Sequence, residues 1–228
     1  MEIKISMKEF IKKYGHGWTI SYFVVYMIWF TWLEKRSIPS YHIMHCFVDD
    51  YIPFVDVFII PYIIWFLYIP AAWLFLFFKD KKEFYTFCLY LYSGMTICLF
   101  ICTVFPNGQD LRVNLDFGEN VWVRMLGFIY NSDSNTNVFP SIHVFNSIAI
   151  HLALMKSKHI PKGHWVTVIS MTVMVLICSS TVFLKQHSIL DVIAGTTLAI
   201  VLYQIIYNNV FGKIRNAFAE KRVENKLN

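Results

Sequence analysis

The stretch Thr181 to Gly195, TVFLKQHSILDVIAG, holds the densest group of chemically useful side chains in the sequence. Asp191 follows His187 by four residues, and Lys185 stands two residues before it. On a helix, residues four apart share one face, one turn apart. A carboxylate so placed accepts the proton of one imidazole nitrogen and leaves the other free to act as a nucleophile. Lys185 adds a fixed positive charge, and the combination suits attacking or holding a phosphate. A lone His-x-x-x-Asp pair on a helix is common as plain structure. It gains weight here from two further stretches at the ends of hydrophobic segments: Phe139-Pro140-Ser141-Ile142-His143, and Phe105 to Arg112, FPNGQDLR.

Each of these stretches carries its own chemistry. Arg112 offers a planar fork of donors that matches phosphate oxygens. Pro140 suits the first turn of a helix, which would leave the amides of Ser141 to His143 unpaired and able to bind an anion. Ser141 adds a hydroxyl donor, and His143 is placed to give a proton to a leaving oxygen. The other histidines read as structural. His42 and His45 flank an interfacial turn, His16, His159 and His164 belong to the opposite face, and His151 is a packed histidine two turns below His143.

The elements that position these groups are hydrophobic. Of the 228 residues, 57% are apolar, 18% aromatic and only 15% charged, which excludes an ordinary soluble domain. Several apolar runs approach the ~20 residues needed to cross a bilayer. Six spans are expected, at about 17–33, 55–78, 84–105, 140–155, 164–183 and 187–211. The fold class is therefore all-α, a polytopic six-transmembrane-helix bundle forming one domain over residues 1–228. It has an interfacial N-terminus (1–16), a long polar loop (106–139) and a polar tail (212–228). Within that loop, Val121 to Tyr130 is apolar enough for an interfacial helix. The first span ends in large aromatics with no small-residue cleavage site, so it reads as a span and not a signal peptide.

The formal charge of +5 is spread in short clusters between apolar runs. That is the pattern of loops meeting anionic headgroups, and nucleic acid is not an expected partner. Of the 20 Lys and Arg residues, only Lys35, Arg36, Arg112, Arg124 and Lys185 fall on the side opposite the termini. The other fifteen place both termini in the cytoplasm by the positive-inside rule. All three candidate stretches then face the extracytoplasmic side. The five cysteines show no C-x-x-C and no metal spacing, and read as small packing residues.

Taken together, the stretches resemble the phosphatidic-acid phosphatase type 2 superfamily. Its motifs run Lys-x6-Arg-Pro, Pro-Ser-Gly-His and Ser-Arg-x5-His-x3-Asp. Here the second is Pro140-Ser141-Ile142-His143, and the third is Ser180-Thr181, five residues, His187, three residues, Asp191. The first survives as Arg112 alone, with Phe105 in place of its Lys and Val113 in place of its Pro. Ile142 replaces a Gly, and Thr181 replaces a phosphate-binding Arg, a loss that Lys185 could make good. The resemblance implies His187 as the nucleophile forming a phosphohistidine, Asp191 as its orienting carboxylate and His143 as the leaving-group acid. It implies Arg112, Ser141 and Lys185 as phosphate ligands, with no metal and no cofactor. The Lys-x-His variant is similar to the branch of inositol-phosphorylceramide synthases and the more distant sphingomyelin synthases.

The expected activity is that of an integral cell-membrane lipid phosphatase. It would hydrolyse a lipid phosphomonoester or pyrophosphate at the outer leaflet. Two alternatives stand beside it. One is a lipid phosphotransferase of the same superfamily. The other is a catalytically inactive lipid-binding protein, motivated by the missing Lys and Arg.

Overall fold

The structure, a computed structural model, describes residues 7–115 and 120–209. The expectations for residues 1–6, for 116–119 of the long loop, for the last residues of the sixth span and for the 212–228 tail lie outside it.

The chain opens with α1 (Met7–Tyr14), a 3-10 turn (Gly15–Ser21) and α2 (Tyr22–Lys35). A two-residue strand β1 (His42–Ile43) and the short α3 (Phe47–Tyr51) follow. A 3-10 turn at Asp56–Phe58 leads into α4 (Ile59–Lys79), and Asp80 alone separates it from α5 (Lys81–Val104). The Asp80 carboxylate accepts from the amides of Lys82 and Glu83 at 2.8 and 2.9 Å. That cap starts α5 and fixes the reversal. Next come β2 (Asn107–Gly108), α6 (Val121–Ser132), α7 (Ile142–Lys156), α8 (Trp165–Phe183) and α9 (Ile189–Ile206). β1 and β2 pair in parallel, His42 with Asn107 and Ile43 with Gly108, tying the two polar loops together.

Among the described residues, four helical segments are long and apolar enough to cross a membrane: Asp56–Lys79, Lys81–Val104, Trp165–Phe183 and Ile189–Ile206. They mark a multi-pass membrane protein. Their outward faces are hydrocarbon, as in Val168, Ile169, Met171, Val175 and Leu176 on α8, all exposed. Exposed apolar surface on this scale fits lipid and not water. The first expected span appears as the 3-10 turn with α2, and the fourth as α7, only 15 residues long. Pro140 lies outside α7, after a cis Phe139–Pro140 peptide, and Ser141 is the N-cap. The expectation that Pro140 opens this helix is therefore two residues off.

α7 is the core of the bundle, buried at ten of its positions from His143 to Leu154 and packed against α4, α5, α8 and α9. Two glycines let it sit so close. A β-carbon on Gly94 of α5 would lie 1.8 Å from Phe145 Cζ, and one on Gly195 of α9 would lie 2.6 Å from the Ser141 carbonyl oxygen. The second is backbone and cannot swing aside. Gly195→Ala is expected to push α9 off the start of α7 and destabilise the fold by about 1–3 kcal/mol, read as a lower unfolding midpoint in detergent.

Candidate active site

The start of α9 is built by its own side chains. Ser188 Oγ accepts from the Leu190 amide at 3.2 Å, and Asp191 Oδ2 accepts from the Ser188 amide at 3.0 Å, a capping box. The same Asp191 oxygen lies 3.2 Å from His187 Nδ1. One carboxylate therefore caps the helix and holds the imidazole just ahead of it. With Nδ1 donating to Asp191, Nε2 carries the lone pair. His187 Nε2 lies 3.4 Å from His143 Nδ1 on the first turn of α7. The His143 ring is itself held between Tyr62 and Trp65 of α4, at centroid distances of 4.7 and 4.3 Å. The Ser141 amide donates to the Asp191 carbonyl at 3.1 Å and locks the two helix starts together. His187, Asp191 and His143 thus form one contiguous, buried group.

A second carboxylate secures this arrangement. Asp49 of α3, 2% exposed, accepts from Ser188 Oγ at 2.6 Å, from the Ile189 amide at 2.8 Å and from the Cys46 amide at 2.9 Å. Burial pushes its carboxyl pKa up, but these hydrogen bonds outweigh burial and hold it below the usual carboxylate range. In the sequence Asp49 is one of an adjacent pair, Asp49-Asp50. Its partners lie some 140 residues away in sequence, and no local signal marks it.

Both histidines line a cavity of about 300 Å³. Its walls come from α2 (Tyr26, Met27, Phe30), α4 (Tyr62, Trp65, Phe66) and the segment from Ile129 to Val138. Met27 of α2 and Phe66 of α4 are 52% and 53% exposed, so apolar side chains of these two helices edge one side of the cavity, and Ser132 at the end of α6, also exposed, edges another. The end of α6 and the residues after it form one wall, including Asp133. Burial drives the Asp133 carboxyl up to about 6; Glu34 adds to the shift, while Arg112 and His187 oppose it. A larger hollow, about 560 Å³ beside Trp18, Tyr85 and Thr96, does not include the histidines.

The three expected phosphate ligands do not line this cavity. Lys185, with φ at +53°, donates from Nζ to the Asp49 carbonyl at 2.7 Å. Ser141 is fully buried, and its hydroxyl accepts from the Val144 amide at 3.4 Å. Arg112 stacks on the Tyr130 ring and donates to the carbonyls of Tyr130 and Ser134 and to Gln186 Oε1 at 2.9–3.1 Å. His151 pairs with Ser170 at 3.0 Å, away from the cavity, as a packed histidine should. Gln109 donates to the Lys185 carbonyl at 3.2 Å, and Asn137 to Glu34 at 2.7 Å, so the long loop is pinned to the site on two sides. Among the described residues no cluster of three or more His, Cys, Asp or Glu could hold a metal ion.

Residues 115–215 match the PAP2 superfamily. The matched segment carries α6 to α9, and with them His143, His187 and Asp191. A PAP2 superfamily domain implies phosphatase or phosphotransferase chemistry on phosphate esters, typically without a metal. Comparison with curated proteins and with solved structures returned no match.

Asp49→Asn removes one charged acceptor from the start of α9. A loss of roughly 1–3 kcal/mol in stability is expected at pH 7. Because the folded-state carboxyl pKa is depressed, the wild type's advantage is present above the ordinary carboxylate value near 4 and fades as the pH falls through the folded one. Unfolding midpoints of both proteins in detergent between pH 7 and pH 3 check this.

Proposed function

We propose that the protein is an integral membrane lipid phosphatase, hydrolysing a lipid phosphomonoester or pyrophosphate through a phosphohistidine at the extracytoplasmic face. The observation that carries this reading is the His187–His143 pair, with the reactive His187 nitrogen facing His143 in a cavity edged by apolar side chains of α2 and α4. A lipid can enter sideways between α2 and α4 with its acyl chains in the bilayer and its phosphate at the histidines. We read α7 and the Gly15–Lys35 unit as the two crossings that complete a six-span bundle with the four long helices. The distribution of Lys and Arg supports cytoplasmic termini.

In this mechanism the His187 Nε2 lone pair attacks phosphorus, and the bond to the lipid oxygen breaks. His143 delivers its proton to that oxygen, releasing the lipid alcohol. Asp191 stabilises the positive charge that develops on the His187 ring. His143, now a base, takes a proton from water, whose oxygen attacks phosphorus and breaks the P–N bond. Phosphate leaves and both histidines return to their starting states. An alcohol in place of water would complete a headgroup transfer by the same steps.

Purified protein in detergent, offered a panel of lipid phosphates without divalent metal, is expected to release inorganic phosphate. His187→Ala should abolish release, and His143→Ala should slow it by about 10²–10⁴-fold. Free phosphate absent while a labelled headgroup appears on an added alcohol or diacylglycerol would assign a transferase. Neither product from any lipid would remove the enzymatic reading.

Asp133 gives this reading a pH signature. Burial, and after it Glu34, raises its carboxyl pKa, while Arg112 and His187 lower it. Above about pH 6 it becomes an anion on the cavity wall and opposes a phosphate. The KM for a phosphomonoester lipid should rise between pH 5 and pH 7, and rise less in Asp133→Asn. The variant comparison removes the substrate's own ionisation from the measurement.

A further inference from the structure

Among the described residues no Lys or Arg lines the cavity, so the phosphoryl oxygens must find other donors. Two buried N–H groups in its wall have no hydrogen-bond partner among the described residues: Gln186 Nε2 and Trp65 Nε1. The orientation of the Gln186 amide is chemically determined. Its Oε1 accepts from Arg112 Nη2 at 2.9 Å, and a guanidinium can only donate, so the acceptor end must face Arg112. The NH₂ end is left at the cavity wall, on the residue immediately before His187. Gln186 is 3% exposed, so water does not reach it freely. The Trp65 indole belongs to the ring that packs on His143 at 4.3 Å. A buried donor with no acceptor is costly, and two beside a reactive histidine pair suit an oxygen-rich ligand.

We propose that Gln186 and Trp65 form a neutral donor cradle for the phosphoryl group, with Arg112 acting behind it by orienting and polarising the Gln186 amide. This rests on the phosphatase reading of the site and names the residues that receive its substrate. It gives Arg112 a positioning role, in place of the direct phosphate contact that the sequence motif suggests. It also accounts for a cavity whose one ionisable side chain among the described residues, besides the histidines and Tyr26 and Tyr62, is the acid Asp133. Neither donor is hydrogen-bonded to Asp133 or to any other described residue.

The test uses the full chain in detergent with Gln186→Glu, Gln186→Ala and Trp65→Phe. Gln186→Glu keeps an oxygen for Arg112 and reverses the polarity of the other end, so it should fold with an unchanged unfolding midpoint. Two readouts are taken: the Kd of inorganic phosphate by calorimetry, which needs no turnover, and kcat and KM for phosphatidic acid. Loss of a hydrogen bond to a charged group predicts a phosphate Kd about 10- to 100-fold weaker in Gln186→Glu and Gln186→Ala. Trp65→Phe should be weaker by a smaller factor. Phosphate binding within twofold of wild type in both Gln186 variants would overturn the cradle, whatever the activity. Wild-type binding that Gln186→Glu weakens, without turnover of any lipid phosphate, would keep the cradle and remove the phosphatase reading. A wild type that neither binds phosphate nor turns over lipid would remove both.

Discussion

One oxygen atom organises the site. Asp191 Oδ2 accepts both the Ser188 amide and the His187 imidazole, so the helix cannot start without setting the histidine, and the histidine cannot turn without uncapping the helix. Asp191 Oδ1 has no hydrogen-bond partner among the described residues, which leaves the carboxylate anchored from one side. Asp49 supplies the second anchor through Ser188 and Ile189. Two carboxylates at the positive end of one helix dipole are favourable electrostatically. They and Ser188 also occupy the amides that would otherwise attract an anion there.

The bundle serves this atom by bringing α7 into register with α9. The Ser141 amide meets the Asp191 carbonyl, and Gly195 lets the Ser141 carbonyl approach the α9 backbone. Phe145, one turn further along α7, fills the space left by Gly94 on α5. α7 is thus gripped on two sides at its reactive end, and the His143 to His187 distance is set by backbone contact.

Much of this was legible in the sequence because the relevant information is local. The Ser141–His143 helix start and the apolar runs lie within single segments, and helix geometry translates them directly; His187 and Asp191 meet as their spacing suggests, although His187 stands just outside α9 and is reached because Asp191 folds back to cap that helix. The amphipathic piece of the long loop became α6 for the same reason. What the sequence could not convey was where long side chains end. Lys185 sits two residues from His187, yet a left-handed backbone conformation accompanies an ammonium bound to the Asp49 carbonyl. Arg112 reaches the site but spends its donors on carbonyls and on Gln186. Asp49, Trp65 and Asp133 join the site only through tertiary contacts, and Gln186 passed unnoticed between two more conspicuous neighbours.

The shortness of α7 has a consequence for the surrounding bilayer. Fifteen residues span only about 22 Å, less than the ~30 Å of a typical hydrocarbon core. Its first turn lies level with Asp191 and Gly195, some way inside α9. His187 stands just ahead of α9, so the reactive pair lies at the tip of that helix, beside the first turn of α7. A crossing this short, in the six-span reading, leaves a hydrophobic mismatch that the bilayer meets by thinning around α7, so membrane thickness bears on the helix that carries His143.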